Sequence, residues 1–141
     1  MGPQHSNLRG YVHGGWIMKL CDEAAGLAAM RHARRPCVTV AIDNMTFQQP
    51  VRLGDLLTLY AELAYTGRTS MEIEVRVVAE NPVTGEQTDT NTAHFVYVAI
   101  DENERPAPVP PLLAETEAER ARMAAAAERQ ASRLKRRIEG R

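Results

Sequence analysis

The segment from residue 14 to residue 34 constrains the fold more than any other part of this chain. Wound as a helix, it carries apolar or small side chains on nearly every face. Paired glycines leave its entry geometry free, and Pro36 ends it. A helix of this kind is normally buried, so we expect other structure to wrap around it. Asp22 and Glu23 lie in its middle, and a buried carboxylate needs a partner or a function.

Alternation of apolar and polar residues marks four strands after this helix. The clearest is residues 71–77, in which four apolar side chains alternate with two glutamates and an arginine. Turns that contain glycine, proline or asparagine separate neighbouring strands. The four predicted strands are residues 38–43, 55–64, 71–77 and 88–100. This order predicts an α+β domain, in which an antiparallel β-sheet wraps around a long central helix.

The C-terminal part adds a second helix. Residues 105–111 are rich in proline and predict an extended linker, whereas residues 112–137 are rich in alanine and charge and predict a helix. The basic cluster at residues 133–137 could bind phosphates, although a solvated helix end is the more common meaning of such a cluster. Residues 138–141 match a protease recognition sequence used for tag removal. The predicted division is a domain at 1–111, a helix at 112–137 and a remnant of tag removal at 138–141.

Composition excludes several classes of function. A formal net charge of −1 gives no electrostatic case for nucleic acid or an anionic membrane surface. No apolar run reaches the roughly 18 residues that a membrane span needs. Residues 1–9 are polar, so no secretory signal is predicted, and Cys21 and Cys37 are expected as reduced thiols of a cytoplasmic protein. The histidines lack paired spacing with cysteines or acids, so no metal site is predicted.

The two carboxylates in the helix have different neighbours. Lys19 lies one turn before Glu23 and is expected to pair with it at the surface. Asp22 shares a face with apolar and small side chains, and a partly desolvated carboxylate is a stronger base than a solvated one. Asp22 is therefore either a catalytic base or a carboxylate at the polar edge of an interface. Spacing alone leaves both readings open.

Other polar residues carry weaker signals. Gly14 and Gly15 precede a helix whose first N–H groups are unpaired, so a ligand carbonyl could approach them, although paired glycines are usually an entry turn. Asn7 could hold a carbonyl or a water, and is more often a loop cap. His13, beside the glycines, and His94, on a strand, favour structural roles.

Taken together, these segments resemble one family. The chain is similar to the hotdog-fold acyl-CoA thioesterases, in particular to the broad-specificity bacterial branch that is similar to cytosolic acyl-CoA hydrolase. Ordered matches run from about residue 7 to residue 110. They are Asn7…Gly10-Tyr-Val-His-Gly-Gly15, Cys21-Asp-Glu-Ala-Ala25, Val38-Thr-Val-Ala-Ile-Asp43, Phe47-Gln-Gln-Pro-Val51, Gly54-Asp55, Thr66-Gly-Arg-Thr-Ser70, Phe95-Val-Tyr-Val-Ala99 and Arg105-Pro-Ala-Pro-Val-Pro110.

The resemblance implies roles for individual residues. Asp22 falls at the family's catalytic acidic position, as a general base on water or as a nucleophile on the thioester. Asn7 falls at the position that orients the thioester carbonyl or the water. The amides of Gly14 and Gly15 would polarise that carbonyl. Contacts with the CoA part of the substrate are implied for His13, Arg68, Thr69 and Ser70.

The resemblance also implies an assembly and an activity. Asn7 of one protomer is expected to work with Asp22 of the other in a homodimer, and the dimers are expected to form a trimer of dimers. The implied reaction is hydrolysis of acyl-CoA to a free acid and CoA, with no metal and no cofactor beyond the CoA of the substrate. Family members carry a strand before the asparagine loop, so here either that strand is trimmed or the chain starts late.

Two alternative functions stay open. A hotdog dehydratase or hydratase would pair an aspartate with a nearby histidine, but His32 lies ten residues after Asp22, near the far end of the helix. A non-catalytic acyl-CoA-binding sensor would have lost the carboxylate, and Asp22 is present. The sequence therefore favours the hydrolase over both.

Overall fold

The computed structural model describes residues 11–139, in which two helices accompany one sheet. In chain order the elements are α1 (Gly14–Ala33), β1 (Cys37–Phe47), β2 (Leu56–Thr66), β3 (Ser70–Glu80), β4 (Gln87–Ala99) and α2 (Glu117–Glu139). All strand pairs are antiparallel, and the strand order is β1-β4-β3-β2, so β1 and β2 are the edges. The predicted antiparallel sheet around a central helix is confirmed.

The core lies between α1 and one face of the sheet, and α1 contacts all four strands. Small side chains form most of the stripe that α1 buries, and they let the helix approach the strands closely. This stripe repeats every four residues and consists of Ile17, Cys21, Ala25, Ala29 and Ala33. The inward residues of the two central strands, such as Ile73, Val75 and Phe95, complete the core.

The expectation that α1 is wrapped on every side is wrong within one protomer. The sheet fully buries only the stripe just described, and Leu27 on another face of the helix is 66% exposed. The edge strand β1 also exposes apolar side chains, namely Val38, Val40 and Ile42. Apolar residues of α1 and β1 thus remain uncovered in the protomer, because the sheet supplies only one side of the wrapping.

The proline-rich linker is extended as predicted, but it is bonded to the sheet. The amide of Ala107 donates to the carbonyl of Ala99 (2.8 Å), and the amide of Val109 donates to the carbonyl of Arg68 (2.9 Å). The second helix begins at Glu117, later than predicted, because Thr116 caps it by accepting from the amide of Glu119 (3.1 Å). The helix continues to Glu139, two residues beyond its predicted end.

A buried ion-pair cluster fastens α2 to the face of the sheet opposite α1. Glu72, which alternates with core residues on β3, is 1% exposed and accepts bonds at both oxygens from Arg129 (2.9 and 2.8 Å). The Glu72 carboxylate raises the pKa of Arg129. Arg133 bonds to Glu72 and also to Asp43 on β1, at 3.1 Å each. Neither sequence reading of the basic cluster holds for Arg133, which is neither solvated nor open to phosphate.

Two further predictions concern the environment of the chain. Cys21 and Cys37 are both free thiols, as predicted, and burial raises the pKa of each. Within residues 11–139, no helix is long and apolar enough to cross a membrane.

Candidate active site

Asp22 sits in the middle of α1, where the helix passes over β1 and β4. Thr39 of β1 donates through Oγ1 to Asp22 Oδ1 (3.0 Å), and Tyr97 of β4 donates through Oη to the same atom (2.5 Å). The Asp22 side chain is half-buried. Among the described residues, every hydrogen bond to this carboxylate falls on Oδ1, which leaves Oδ2 for a water or a ligand. The carboxylate is therefore held at Oδ1, while no described residue donates to Oδ2.

Glu23 has a different partner, as predicted. Lys19 Nζ lies 4.0 Å from Glu23 Oε1, and both side chains are well exposed. An exposed pair of this kind contributes only about 0.3–0.5 kcal/mol to the helix. The structure thus separates the two neighbouring carboxylates into a surface partner of Lys19 and a site residue, Asp22.

The N-terminal end of α1 is capped by His13. Its Nδ1 accepts a hydrogen bond from the amide of Gly15 (3.1 Å), so this amide has a partner within the protomer. A Cβ atom at Gly14 would lie 3.4 Å from the Phe47 ring, and glycine there keeps the helix end close to β1. Asn7 falls outside the described residues. The capping bond gives His13 the structural role that its position beside the glycines favoured.

One protomer does not bring the glycine amides to Asp22. Eight residues of helix separate Gly14 from Asp22, which is about 12 Å along the axis. A general base has to lie within about 3 Å of the proton that it removes. A thioester carbonyl held at the amides of one α1 is therefore beyond the reach of the Asp22 on the same helix.

The turn at residues 67–69, between β2 and β3, lies near the opposite end of α1. The amide of Val109 donates to the carbonyl of Arg68 (2.9 Å), and the neighbouring carbonyl of Pro110 lies 2.7 Å from His32 Nε2 in the last turn of α1. Arg68 is exposed, while Thr69 and Ser70 are half-buried. The predicted CoA contacts thus fall at two ends of α1 in one protomer, with His13 at the N-terminal end.

His94 has a hydrogen-bond partner at only one of its two ring nitrogens among the described residues. Its side chain is buried between strands, with Nε2 3.2 Å from Glu74 Oε2, and its buried Nδ1 has no hydrogen-bond partner in the described part of the chain. The same residues, 11–139, include no cluster of three histidine, cysteine or acidic side chains that could hold a metal ion.

Sequence reasoning missed the two hydroxyl donors of Asp22. Tyr97 was part of a matched motif, and its inward direction follows from its spacing with Phe95 on β4. Its hydroxyl also lies close to Gly26, where a Cβ atom would be 3.4 Å away. A glycine one turn after a candidate catalytic carboxylate was a readable signal of close approach. The Thr39 contact depends on the register of β1 against α1 and gave no signal in the sequence.

Comparisons with known proteins support one family. The profile of the Thioesterase superfamily matches residues 9–86. The chain is 47% identical to an uncharacterized acyl-CoA thioester hydrolase of Zymomonas mobilis, over 78% of this chain and 74% of that protein. It is also 40% identical to the cytosolic acyl coenzyme A thioester hydrolase of Homo sapiens, of which it spans only 33%. The chain therefore belongs to the Thioesterase superfamily.

Solved structures narrow the relationship and confirm the predicted hotdog fold. An apo-hexameric acyl-CoA thioesterase superposes with a TM-score of 0.92 at 40% identity, covering 96% of this chain and 87% of that one. An acyl-CoA hydrolase of Staphylococcus aureus superposes with a TM-score of 0.90 at 30% identity, covering 98% and 85%. That enzyme has been solved as alanine variants of an aspartate, an asparagine and a threonine. Within the superfamily, the chain groups with the acyl-CoA thioester hydrolases, as its motifs predicted.

Proposed function

We propose that this protein hydrolyses acyl-CoA thioesters to a carboxylic acid and CoA at a site built from two protomers. Asp22 removes a proton from a water whose oxygen attacks the thioester carbonyl carbon. The C–S bond then breaks, and the proton passes to the departing CoA sulfur. In the alternative route, an oxygen of Asp22 attacks the carbonyl carbon and the C–S bond breaks, so that CoA leaves as a thiolate and takes a proton from water. A water molecule then hydrolyses the acyl anhydride, which releases the carboxylic acid and regenerates the Asp22 carboxylate.

One observation carries this proposal, namely the spacing of the three residues around the carboxylate. In the Staphylococcus aureus enzyme, the substituted asparagine stands fifteen positions before the substituted aspartate, and the threonine stands seventeen positions after it. Asn7, Asp22 and Thr39 have the same spacings in this chain. The hydrogen bond from Thr39 to Asp22 gives the third residue a physical reason to belong to the site.

The proposed dimer explains the surfaces that the protomer leaves uncovered. Leu27 on α1 and Val40 on the β1 edge are among the most exposed apolar side chains of these two elements. An edge strand with unpaired backbone groups is a template for pairing with another chain. Pairing of two β1 edges would place the α1 helices side by side and bring Asp22 of one protomer towards the helix start of the other. The hexameric neighbour supports further association into a trimer of dimers.

The helix start of the second protomer would hold the thioester carbonyl. Helix-terminal N–H groups aimed at a developing oxyanion stabilise the transition state. Gly14 offers such an amide, and the Gly15 amide becomes a second donor when His13 gives up its capping bond to meet the CoA moiety. Asn7 would orient the carbonyl or the water, and Arg68, Thr69 and Ser70 would contact CoA. No cofactor or metal belongs to this proposal, and a cytoplasmic location is part of it.

The two rival functions predict different contacts. A dehydratase needs a histidine beside the aspartate, but His32 lies against the carbonyl of Pro110, and Asp22 is bonded by hydroxyl groups instead. A sensor would bind acyl-CoA at the same place without releasing CoA. Against the dehydratase, His13 and His94 also have partners other than Asp22, namely the Gly15 amide and the Glu74 carboxylate. The hydrolase is the function that the described contacts favour.

The test is thiol release from acyl-CoAs of increasing chain length, from acetyl to palmitoyl. Asp22→Asn keeps the shape of the side chain but removes the base, and we expect kcat to fall by about 10²-fold or more. Glu23→Gln is the matched control, because it neutralises the adjacent exposed carboxylate, and it should retain the parent rate. Release of no thiol by the parent protein from any acyl-CoA would favour the sensor. An Asp22→Asn variant with the parent rate would refute the role of Asp22.

A further inference from the structure

Tyr97 reaches Asp22 from the sheet beneath the helix. It lies on β4 with only 3% of its surface exposed, next to the core. Its Oη is 2.5 Å from Asp22 Oδ1 and 2.7 Å from the carbonyl oxygen of the same residue. One hydroxyl thus touches both the carboxylate and the helix backbone that carries it. This contact couples the direction of the Asp22 side chain to the position of α1 over the sheet.

Gly26 marks the point where α1 approaches Tyr97 closely. It lies one turn after Asp22, and a Cβ atom at this position would be 3.4 Å from Tyr97 Oη and 3.6 Å from the ring. The backbone of α1 therefore passes directly over the tyrosine. The Cβ atom of an alanine would make an ordinary contact here, whereas a side chain that extends further would meet the tyrosine ring.

The bonding around Asp22 is asymmetric. Tyr97 and Thr39 both donate to Oδ1, while no described residue donates to Oδ2. Burial, and after it the bond to Asp22, raises the pKa of Tyr97, so the phenol stays protonated as a donor through the neutral range. The Thr39 hydroxyl lowers the pKa of Tyr97 but does not cancel this effect. The Oδ1 atom is thereby fixed by neutral donors that do not exchange protons with it.

We propose that Tyr97 is a positioning residue, whose hydroxyl holds Asp22 Oδ1 so that Oδ2 points at the water or the thioester. The inference rests on the proposed role of Asp22 in hydrolysis. Tyr97 itself is buried beneath the helix and touches no substrate. Its contribution is orientation: a carboxylate that rotates freely spends little time in the geometry that the reaction needs.

Replacing Tyr97 with phenylalanine removes the hydroxyl and keeps the ring in the core. This variant loses a hydrogen bond to a charged group, and we expect kcat to fall by about 10- to 100-fold. KM should change by less than about 2-fold, because Tyr97 orients Asp22 and does not bind the substrate. Tyr60→Phe is the matched control, since Tyr60 is half-exposed on β2 and lies over Arg76, away from Asp22. The Tyr60→Phe variant should keep the parent kcat and KM. Thermal unfolding and the assembly state of Tyr97→Phe show whether the fold is intact.

The double variant with Asp22→Asn separates positioning from a merely structural effect. If Tyr97 acts through the carboxylate, Tyr97→Phe costs nothing further in the Asp22→Asn background. An equal loss in both backgrounds would overturn the proposal.

The outcomes distinguish this inference from the proposed function. If Asp22→Asn abolishes hydrolysis but Tyr97→Phe keeps the parent kcat, the positioning role is wrong and the function stands. If Asp22→Asn hydrolyses at the parent rate, the role of Asp22 fails first, whatever Tyr97→Phe does.

Discussion

Replacing Glu72 with glutamine tests how α2 is held on the sheet. The Glu72 side chain is 1% exposed and accepts three bonds, two from Arg129 and one from Arg133. Glutamine keeps the volume but removes the charge, and it leaves two guanidinium groups that are only 20% and 13% exposed. We expect the native state to lose stability, because Arg129 loses the carboxylate that it is paired with and Arg133 keeps only Asp43, in a place that water reaches poorly.

The magnitude follows from the degree of burial. Removing one partner of a buried pair costs about 3–5 kcal/mol, and the residual exposure of the arginines points to the lower end, about 3 kcal/mol. A domain of this size loses about 2–4 °C of Tm per kcal/mol, so Tm should fall by about 6–12 °C. Glu62→Gln is the matched control, because Glu62 of β2 also pairs with an arginine of α2. Its pair with Arg122 is 59% exposed on the Glu62 side, so its loss should cost about 1 kcal/mol or less.

The assay is thermal unfolding at one fixed protomer concentration, because association shifts the apparent Tm. The same scans at low and high salt add a second readout, since screening weakens the exposed Glu62 pair more than the buried Glu72 pair. Equal Tm shifts for Glu72→Gln and Glu62→Gln would refute the argument that burial sets the strength of this cluster. A more stable Glu72→Gln protein would refute it more strongly.

Two further predictions concern alkaline stability and assembly. Burial and the bond to Asp22 raise the pKa of Tyr97 above its ordinary value of 10.0. Above about pH 10, the unfolded chain therefore loses the Tyr97 proton while the folded protein keeps it, and the free energy of unfolding should fall as the pH rises. Tyr97→Phe should show a shallower fall in denaturant titrations between about pH 9 and pH 11, and equal slopes would contradict this. Val40→Lys charges the exposed β1 edge and should dissociate the proposed dimer in sedimentation, whereas Val83→Lys in an exposed turn should not. Unchanged assembly of Val40→Lys would exclude this edge as the interface.

Local patterning predicted the elements of this fold well. The alternation in residues 71–77 identified β3 and its core-facing side, because a period of two leaves no other regular structure. The same alternation could not predict that Glu72 is buried. It shows only that Glu72 faces away from the core, and that face is covered by Arg129 and Arg133, which lie 57 and 61 residues further along the chain.

In the candidate site too, contacts within one helix could be predicted from the sequence, whereas contacts between distant segments could not. The sequence separated Asp22 from Glu23, because Lys19 lies within one helical turn of the latter. The donors to Asp22 come from residues 17 and 75 positions away, Thr39 and Tyr97. Their meeting depends on how α1 is placed over the sheet, which propensity and periodicity do not specify. The hydroxyl partners could be found only from the packed structure.

The central claim is that one active site takes Asp22 from one protomer and Asn7 from the other, and subunit complementation tests it most directly. Asp22→Asn and Asn7→Ala proteins, each inactive alone, are produced together with different tags and purified as mixed assemblies. In a two-fold dimer, each mixed pair has one site with both native residues and one with neither. When the two variants pair at random within a trimer of dimers, half of the pairs are mixed, and about one quarter of the parent thiol-release rate is restored. Activity no greater than that of the two variants measured separately would contradict a site shared between protomers.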